Sequence, residues 1–577
     1  MPYIKKTVLK YRKQIFLGQF FKLIEAILEL MMPVAMASVI DKGIALGDKS
    51  HIFRNVGIMF LLAFVGVCCA MVCQVVATKT SVGMSGEMRR EAFEKINSLS
   101  AQDLDSIGTN SLVTRMTIDI NNLQDAMAML IRLVIRSPFI MIGSIIMAII
   151  LDVKLSLVLL ITTPLVSIIM FIILRAVAPK FSALQKSLDL LSRKVNETIS
   201  GIRVIRAFSR EESLVDSFDE SSKFYADFAL NTGKITSLLS PIVSLCLNMA
   251  IIAVLMLGAK RVQLGKIELG IVIAFIEYLI QIFLQTAVVA NLVLIYTRAY
   301  ASAKRVEELM DTKPSVSDKF GIKKGDFIPK GNTPLISFKN VCITYPDGKP
   351  ALQDISFSLN KGESLGIIGG TGSGKSTLVS LILRFYDTTK GVVKFCGEDI
   401  KNIPIEELRK RISFVPQRVS LFKGSVEQNL KLGNNNASKK DMEDALNIAQ
   451  ADFVYELPGG LKYNIEESGR NLSGGQRQRL TIARAILKPF EVIILDDSFS
   501  ALDLSTESRL RRALKKSLGD RSCIVVSQRI STIMHADNII VLDNGVCVGM
   551  GKHDYLLKHC EIYKELYITQ TAGAEYA

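Results

Sequence analysis

A chain of 577 residues is too long for one ordinary globular domain, and 49% hydrophobic against 22% charged residues, with a mean hydropathy of +0.32, fits neither a disordered chain nor a purely soluble enzyme. The net charge of +15 does not point to nucleic acid, because the excess is spread: 33 Lys+Arg against 24 Asp+Glu in residues 1–310 and 37 against 31 in residues 311–577, with no dense basic block and no Trp. Positive membrane flanks and solvated faces account for it, so the expected partner is a lipid bilayer and not nucleic acid.

The N-terminal segment, with Lys5, Lys6, Lys10, Arg12 and Lys13, precedes an apolar stretch longer than a signal-peptide core and without a small-residue cleavage pattern, so it is expected to be retained and cytoplasmic. Six apolar runs long enough to cross a bilayer follow, at about 15–40, 55–80, 128–151, 155–178, 237–259 and 269–296. Links are short after the first, third and fifth runs and long after the second and fourth. The long connections, 81–127 and 179–236, carry apolar residues at helical spacing, for example Met88, Ala92, Phe93 and Ile96. They predict helices that continue into the cytoplasm and turn near Asp103–Asn110 and Phe208–Ser217. The positive-inside rule favours this orientation, although Lys260, Arg261 and Lys266 then fall outside.

Charges inside the runs need partners, since an Arg at a bilayer centre costs about 2.5–3.5 kcal/mol on insertion scales. Arg132 and Arg136 share a helix face, as do Glu25 and Glu29, and Glu277 lies in the sixth run. These predict a bundle interior or a wet cavity, with snorkelling the competing account for Arg132. The nine cysteines (Cys68, Cys69, Cys73, Cys246, Cys342, Cys396, Cys523, Cys547 and Cys560) form no CxxC pair and are expected to be reduced packing residues.

Residues 1–310 thus form the expected membrane domain, and the Pro- and Gly-rich stretch 311–334 an interdomain linker. From 335 to 577 short strand patterns, ISFKNVCITY and ALQDISFSL, precede an alternation of apolar strands and amphipathic helices, which predicts an α/β nucleotide domain. After the apolar run Ser364–Ile368 comes a phosphate loop, Gly369, Gly370, Thr371, Gly372, Ser373, Gly374, Lys375, Ser376 and Thr377, fitting G-x-x-x-x-G-K-S between a strand and a helix. Glycines let backbone N–H groups turn toward phosphate oxygens, the helix N-terminus adds its positive end, Lys375 reaches the β/γ-phosphates, and the Ser376 hydroxyl is a magnesium ligand. Farther on, Ile493, Ile494 and Leu495 end in Asp496, a strand-end carboxylate suited to the same magnesium ion.

Between these motifs stands LSGGQ, Leu472, Ser473, Gly474, Gly475 and Gln476, followed by RQRLTIARAI. With Gln417 in FVPQ, SALD ending at Asp503, and Tyr345 ahead of the phosphate loop, the order of motifs resembles the ATP-binding cassette (ABC) family over essentially the whole second half. Six spans with two long cytoplasmic connections resemble its exporter half-transporters. The resemblance implies a six-helix membrane domain fused to an α/β P-loop cassette, ATP and Mg2+ as cofactors, Tyr345 stacking on adenine, and Gln417 touching magnesium where the cassette meets the membrane helices. It also implies that Ser473, the N–H groups of Gly474 and Gly475 and the helix behind them meet the γ-phosphate held by a second cassette, and hence a dimer of twelve spans.

Two residues depart from the family pattern. Efficient hydrolysers carry Glu after the strand-end Asp, where this chain has Asp497; the shorter side chain withdraws the carboxylate by about 1.5 Å, and misplacement by about 1 Å can cost on the order of 100-fold in rate. The usual switch His is Gln528, in VSQR, which hydrogen-bonds but carries no proton or positive charge. With Asp503 they make the expected catalytic set. Both departures together resemble the degenerate site of a heterodimeric exporter. The expectation is a chain that binds ATP and hydrolyses it slowly at its own site, while its intact LSGGQ completes a competent site on a homologous, non-identical half-transporter. The expected function is ATP-driven export of hydrophobic or amphipathic compounds, drug-like or lipid, from the cytoplasm across the cell membrane by alternating access. The alternative is an ATP-gated channel or regulatory ABC membrane protein.

Overall fold

The computed structural model describes residues 1–318, 327, 333–345 and 348–572. Of the linker expected over 311–334, residues 319–326 and 328–332 lie outside the described residues, as do 346–347 and 573–577 of the domain expected over 335–577. The chain forms two compact units: Met1–Asn97 with Thr109–Thr312, and Ser98–Gly108 with Lys313–Ala577.

In the first unit a short helix, α1 (Pro2–Lys10), precedes six helices that, among the described residues, are long and apolar enough to cross a membrane: α2 (Arg12–Ile44), α3 (Lys49–Ser98), then, beyond a short helix α4 (Ala101–Ile107), α5 (Thr109–Leu151), α6 (Val153–Ser200), α7 (Glu211–Gln263) and α8 (Leu269–Asp311). Their Leu, Ile, Val, Phe and Met side chains suit hydrocarbon, and a helix satisfies its own backbone where no water is at hand. The second span and the first part of the long connection after it, as far as Ser98, are one 50-residue helix. Half of the most apolar stretch of α8 is buried, and its Phe275, Tyr278, Leu279 and Ile282, spaced by three, four and seven, form the centre of the bundle. The Tyr278 hydroxyl donates to the Leu30 carbonyl at 2.8 Å. Gly270 touches α2 so closely that a Cβ would lie 2.5 Å from the Ala37 carbonyl oxygen, and its N–H donates to Asp41 at 2.6 Å, so α8 starts against α2 through a residue with no side chain.

Among the described residues, most of the intramembrane charges singled out by the sequence find partners, Glu277 of α8 being the exception. Arg136 bonds Glu29 at 2.6 Å and lies 3.9 Å from Glu25, which pairs with Lys22; the Arg132 guanidinium donates to Thr78 at 2.9 Å. Arg261 pairs with Asp152. The first turn of α1 is held by the buried Glu307 of α8, whose carboxylate accepts from the N–H groups of Tyr3 and Ile4 at 2.7 and 3.0 Å.

In the second unit, a four-stranded antiparallel sheet has the order β2 (Pro350–Leu359), β1 (Ile336–Thr344), β4 (Lys390–Phe395), β5 (Glu398–Asp399). A six-stranded sheet has the order β12 (Val546–Gly551), β11 (Asn538–Asp543), β3 (Ser364–Gly369), β10 (Ser522–Val526), β9 (Val492–Asp496), β6 (Ile412–Val415), parallel except for β12. A small pair, β7 (Gly424–Ser425) with β8 (Asn464–Ile465), lies apart from both. The strands β3 and β9 are continuous buried runs, as parallel strands covered on both faces must be. Their carboxyl ends, two strands apart across β10, present the phosphate loop and Asp496 at the same edge. The helix α4 belongs to this unit: Asp103 accepts from the Ser315 N–H at 3.0 Å and Asp105 from the Tyr386 hydroxyl at 2.7 Å. All nine cysteines are free thiols.

Candidate nucleotide site

The phosphate loop leaves β3 at Gly369, where a Cβ would sit 2.1 Å from the Leu542 carbonyl oxygen, and enters α9 (Lys375–Ile382) through Gly374 at φ +98°. Both positions exclude a side chain. The Lys375 ammonium donates to the Gly369 and Gly370 carbonyls at 2.8 and 2.6 Å, and burial lowers its pKa against the raising pull of Asp496 and Asp497.

Facing it, Asp496 ends β9 at 5% exposure. Burial raises its pKa above the ordinary value, and the Ser376 hydroxyl donates to it, which offsets part of that rise. Hydroxyl and carboxylate oxygens so joined, with the Gln417 amide lining the same cleft, are the hard donor set that suits a magnesium ion. The next residue, Asp497, has φ +46°, a left-handed conformation that Asp and Asn accept more readily than longer residues. Its N–H donates to Val526 of β10 at 3.0 Å, fixing the carboxylate's origin beside the strand that leads to Gln528.

One cleft of about 450 Å³ is lined by Tyr345, Thr371, Gly372, Ser373, Gly374, Lys375, Ser376, Thr377, Gln417, Asp496, Asp497 and Gln528. Gly369 and Gly370 stand behind it, within reach of Lys375. The Tyr345 hydroxyl bonds Thr377 at 3.1 Å, and its ring is held edge-on by Tyr386 with centroids 5.4 Å apart.

LSGGQ lies outside the lining of this cleft. Leu472 is buried as an anchor, and Ser473 caps α10 (Gly474–Leu487): its Oγ accepts from the Gln476 N–H at 3.3 Å while Gln476 Oε1 accepts from the Ser473 N–H at 2.8 Å. This box uses one of the hydroxyl's two acceptor lone pairs and leaves its proton to donate. Above Gly474 there is open space, whereas a Cβ on Gly475 would meet the Ala501 carbonyl of SALD at 3.2 Å. Asp503 is likewise outside the cleft. It caps α11 (Leu504–Leu518), accepting from Ser505 Oγ at 2.6 Å and the Thr506 N–H at 3.0 Å, and these bonds hold its carboxyl well below the usual carboxylate range.

The sequence reading missed Lys349, Asn544 and Gly545 in the cleft wall. Asn544 and Gly545, at φ +47° and +81°, form the β11–β12 turn, and the Gly545 N–H backs the phosphate loop through the Ser373 carbonyl at 3.2 Å. An Asn-Gly pair between two apolar runs was a legible hairpin signal; its place beside the loop was set by β11 pairing with β3.

Two family models match the chain: the ABC transporter transmembrane region over residues 15–286 and the ABC transporter over residues 352–500. The chain is 33% identical over 575 residues to an uncharacterized ABC transporter ATP-binding protein of Mycobacterium bovis, covering 99% of this chain and 98% of that one. It is 30% identical to YgaD of Bacillus subtilis, an ATP-binding/permease protein named for multidrug export, over 97% of each chain. Among solved structures, a bacterial Atm1-family ABC exporter with ATP bound has the same fold, with a TM-score of 0.81 at 22% identity over 97% of this chain and 99% of that chain.

Proposed function

The chain belongs to the ABC transporter family, as a multi-pass ABC exporter whose ATP-binding domain implies an ATPase coupled to transport, and on that premise we propose that it is the slow-site subunit of a heterodimeric exporter. In this reading Lys375 and the phosphate-loop N–H groups hold the ATP phosphates, Tyr345 stacks on adenine, and Ser376, Asp496 and Gln417 hold Mg2+, which when bound supplies charge compensation for the phosphates. Asp497 and Gln528 occupy the positions of water activator and γ-phosphate switch and do both tasks weakly. Ser473, Gly474 and Gly475 complete the site of a non-identical half-transporter, and Asp503 supports SALD by capping the helix behind it. The ATP-binding domain lies in the cytoplasm, the spans lie in the cell membrane, and the cargo is hydrophobic or amphipathic, the class for which YgaD is named.

The observation that carries this reading is that Asp497 and Gln528 line the same cleft as Lys375, while the Ser473 cap is fully formed outside it. The chain is to be purified alone and with the half-transporter that accompanies it. In the mixed complex Ser473→Ala should cut ATP turnover about 100-fold, the loss expected of one anion-hole donor. Asp497→Asn should leave turnover there within about twofold, the range of a residue outside the working site. Brisk hydrolysis by the chain alone, abolished by Asp497→Asn, would end the proposal.

A further inference from the structure

The segment after β10 runs Ser527, Gln528, Arg529 and then the single-turn helix α12 (Ile530–Ile533). A segment so short cannot hold its own geometry by internal bonds. It is held from outside by the C-terminal helix α13 (Glu561–Ala572), whose Tyr563, Leu566 and Tyr567 pack into the cluster that contains Ile530 and Ile533. Gln570 is the next residue on that face, seven after Tyr563. At the position where an apolar residue would continue the stripe stands a primary amide. Its Nε2 donates to the Gln528 carbonyl at 2.8 Å and its Oε1 accepts from the Ile530 N–H at 2.8 Å. The two bonds bracket Arg529 as a neighbouring β-strand would, and they fix the backbone on which the Gln528 side chain enters the nucleotide cleft. The Arg529 N–H is turned inward to Ser527 Oγ at 2.9 Å, and Arg511 holds the Ser531 carbonyl at 2.6 Å from the other side.

We propose that Gln570 is a positioning residue for Gln528, so that the end of the C-terminal helix sets how firmly this site retains its nucleotide. The inference rests on Gln528 acting as the γ-phosphate contact. Gln570 does not itself line the cleft; its two bonds run to the backbone of Gln528 and Ile530, and a helix that undocks releases the phosphate contact without altering Lys375 or Asp496.

The test is the release rate of a fluorescent, non-hydrolysable ATP analogue with magnesium from the full-length protein in lipid nanodiscs, a quantity independent of whether the site hydrolyses. Gln570→Ala, which removes both bonds, should speed release at least about fivefold, the scale of one lost hydrogen bond. Gln570→Glu keeps the acceptor for Ile530 but sets an acceptor-only carboxylate oxygen against the Gln528 carbonyl, so it should release at least as fast as Gln570→Ala. In a Gln528→Ala background, already fast, Gln570→Ala should add nothing, whereas a merely structural role would multiply the two effects. Fast release from Gln528→Ala with unchanged release from Gln570→Ala overturns the inference, and so do effects that multiply. Unchanged release from Gln528→Ala instead removes the γ-phosphate reading beneath it.

Discussion

The Arg136 guanidinium on α5 donates to Glu29 Oε2 on α2 at 2.6 Å, joining two spans that are more than 100 residues apart in the chain. Glu25, one turn before Glu29, lies 3.9 Å from the same guanidinium and is also bound by Lys22. A charge in a span is tolerable when paired, so the cluster is a fastener between helices whose strength depends on all its members. Arg136→Leu and Glu29→Leu should each lower the melting midpoint of the detergent-solubilised protein by several degrees. The double variant should lose less than the sum, a coupling of about 1–2 kcal/mol. Strictly additive losses would show the pair to be decorative.

Lengthening the carboxylate at position 497 should raise turnover at this chain's own site. Asp497→Glu moves the group about 1.5 Å toward the water it must align, a shift worth at least about tenfold in rate. The left-handed backbone at this residue accommodates Glu less readily than Asp, so the same variant should melt slightly lower. A faster and less stable protein is the expected pair of outcomes; unchanged turnover with Gln528→His also present would show that these two residues are not what limits the site.

The Tyr386 hydroxyl donates to Asp105, and burial together with that bond pushes the phenol above its ordinary pKa. Asp105 lies on α4, which the chain connects directly to α3 and α5. Tyr386→Phe keeps the ring against Tyr345 and removes only the hydroxyl. Substrate transport should drop about fivefold while ATP affinity stays the same, as measured by uptake into inside-out vesicles and by nucleotide titration. A loss of ATP affinity matching the loss of transport would place the effect in the nucleotide cleft instead.

Burial raises the pKa of Asp496, and the sign of the consequence for stability is fixed by that direction. Above the raised value the folded protein carries an ionised carboxylate that it disfavours. As pH falls through it toward the ordinary 3.8 the penalty fades, because the group is then protonated in the fold. Asp496→Asn should therefore raise the nucleotide-free melting midpoint at pH 7, by about 2–4 °C for each kcal/mol relieved, and the gain should shrink toward pH 4. Magnesium should cease to strengthen ATP binding in the variant. A midpoint lower than wild type at pH 7 would contradict the sign.

The six spans and the P-loop order were legible because each is carried by contiguous sequence: apolar length for the spans, and strand, glycine loop and helix for Ser364 to Ile382. Asp496 was legible as the end of a buried run. The cleft's other wall was not, because Asn544 and Gly545 reach Ser373 only through the pairing of β11 with β3, about 170 residues away in the chain. Gln570 was illegible for the same reason: a lone amide near a chain end has no local pattern, and its meaning comes from the docking of Tyr563. Asp503 shows the opposite limit, a residue found by motif whose structural duty as a helix cap no motif states.

The carboxylate of Glu307 that holds the N–H groups of Tyr3 and Ile4 lies 304 residues downstream of the first of them. A ribosome adding roughly 5–20 residues per second takes at least about 15 s to deliver it. The first turn of α1 thus cannot take its seat on α8 until Glu307 has been made. Until then α1 is tethered at its far end, where Lys10 and Tyr11 meet Glu87 of α3, and the bond to Glu307 closes a ring that spans the whole membrane unit.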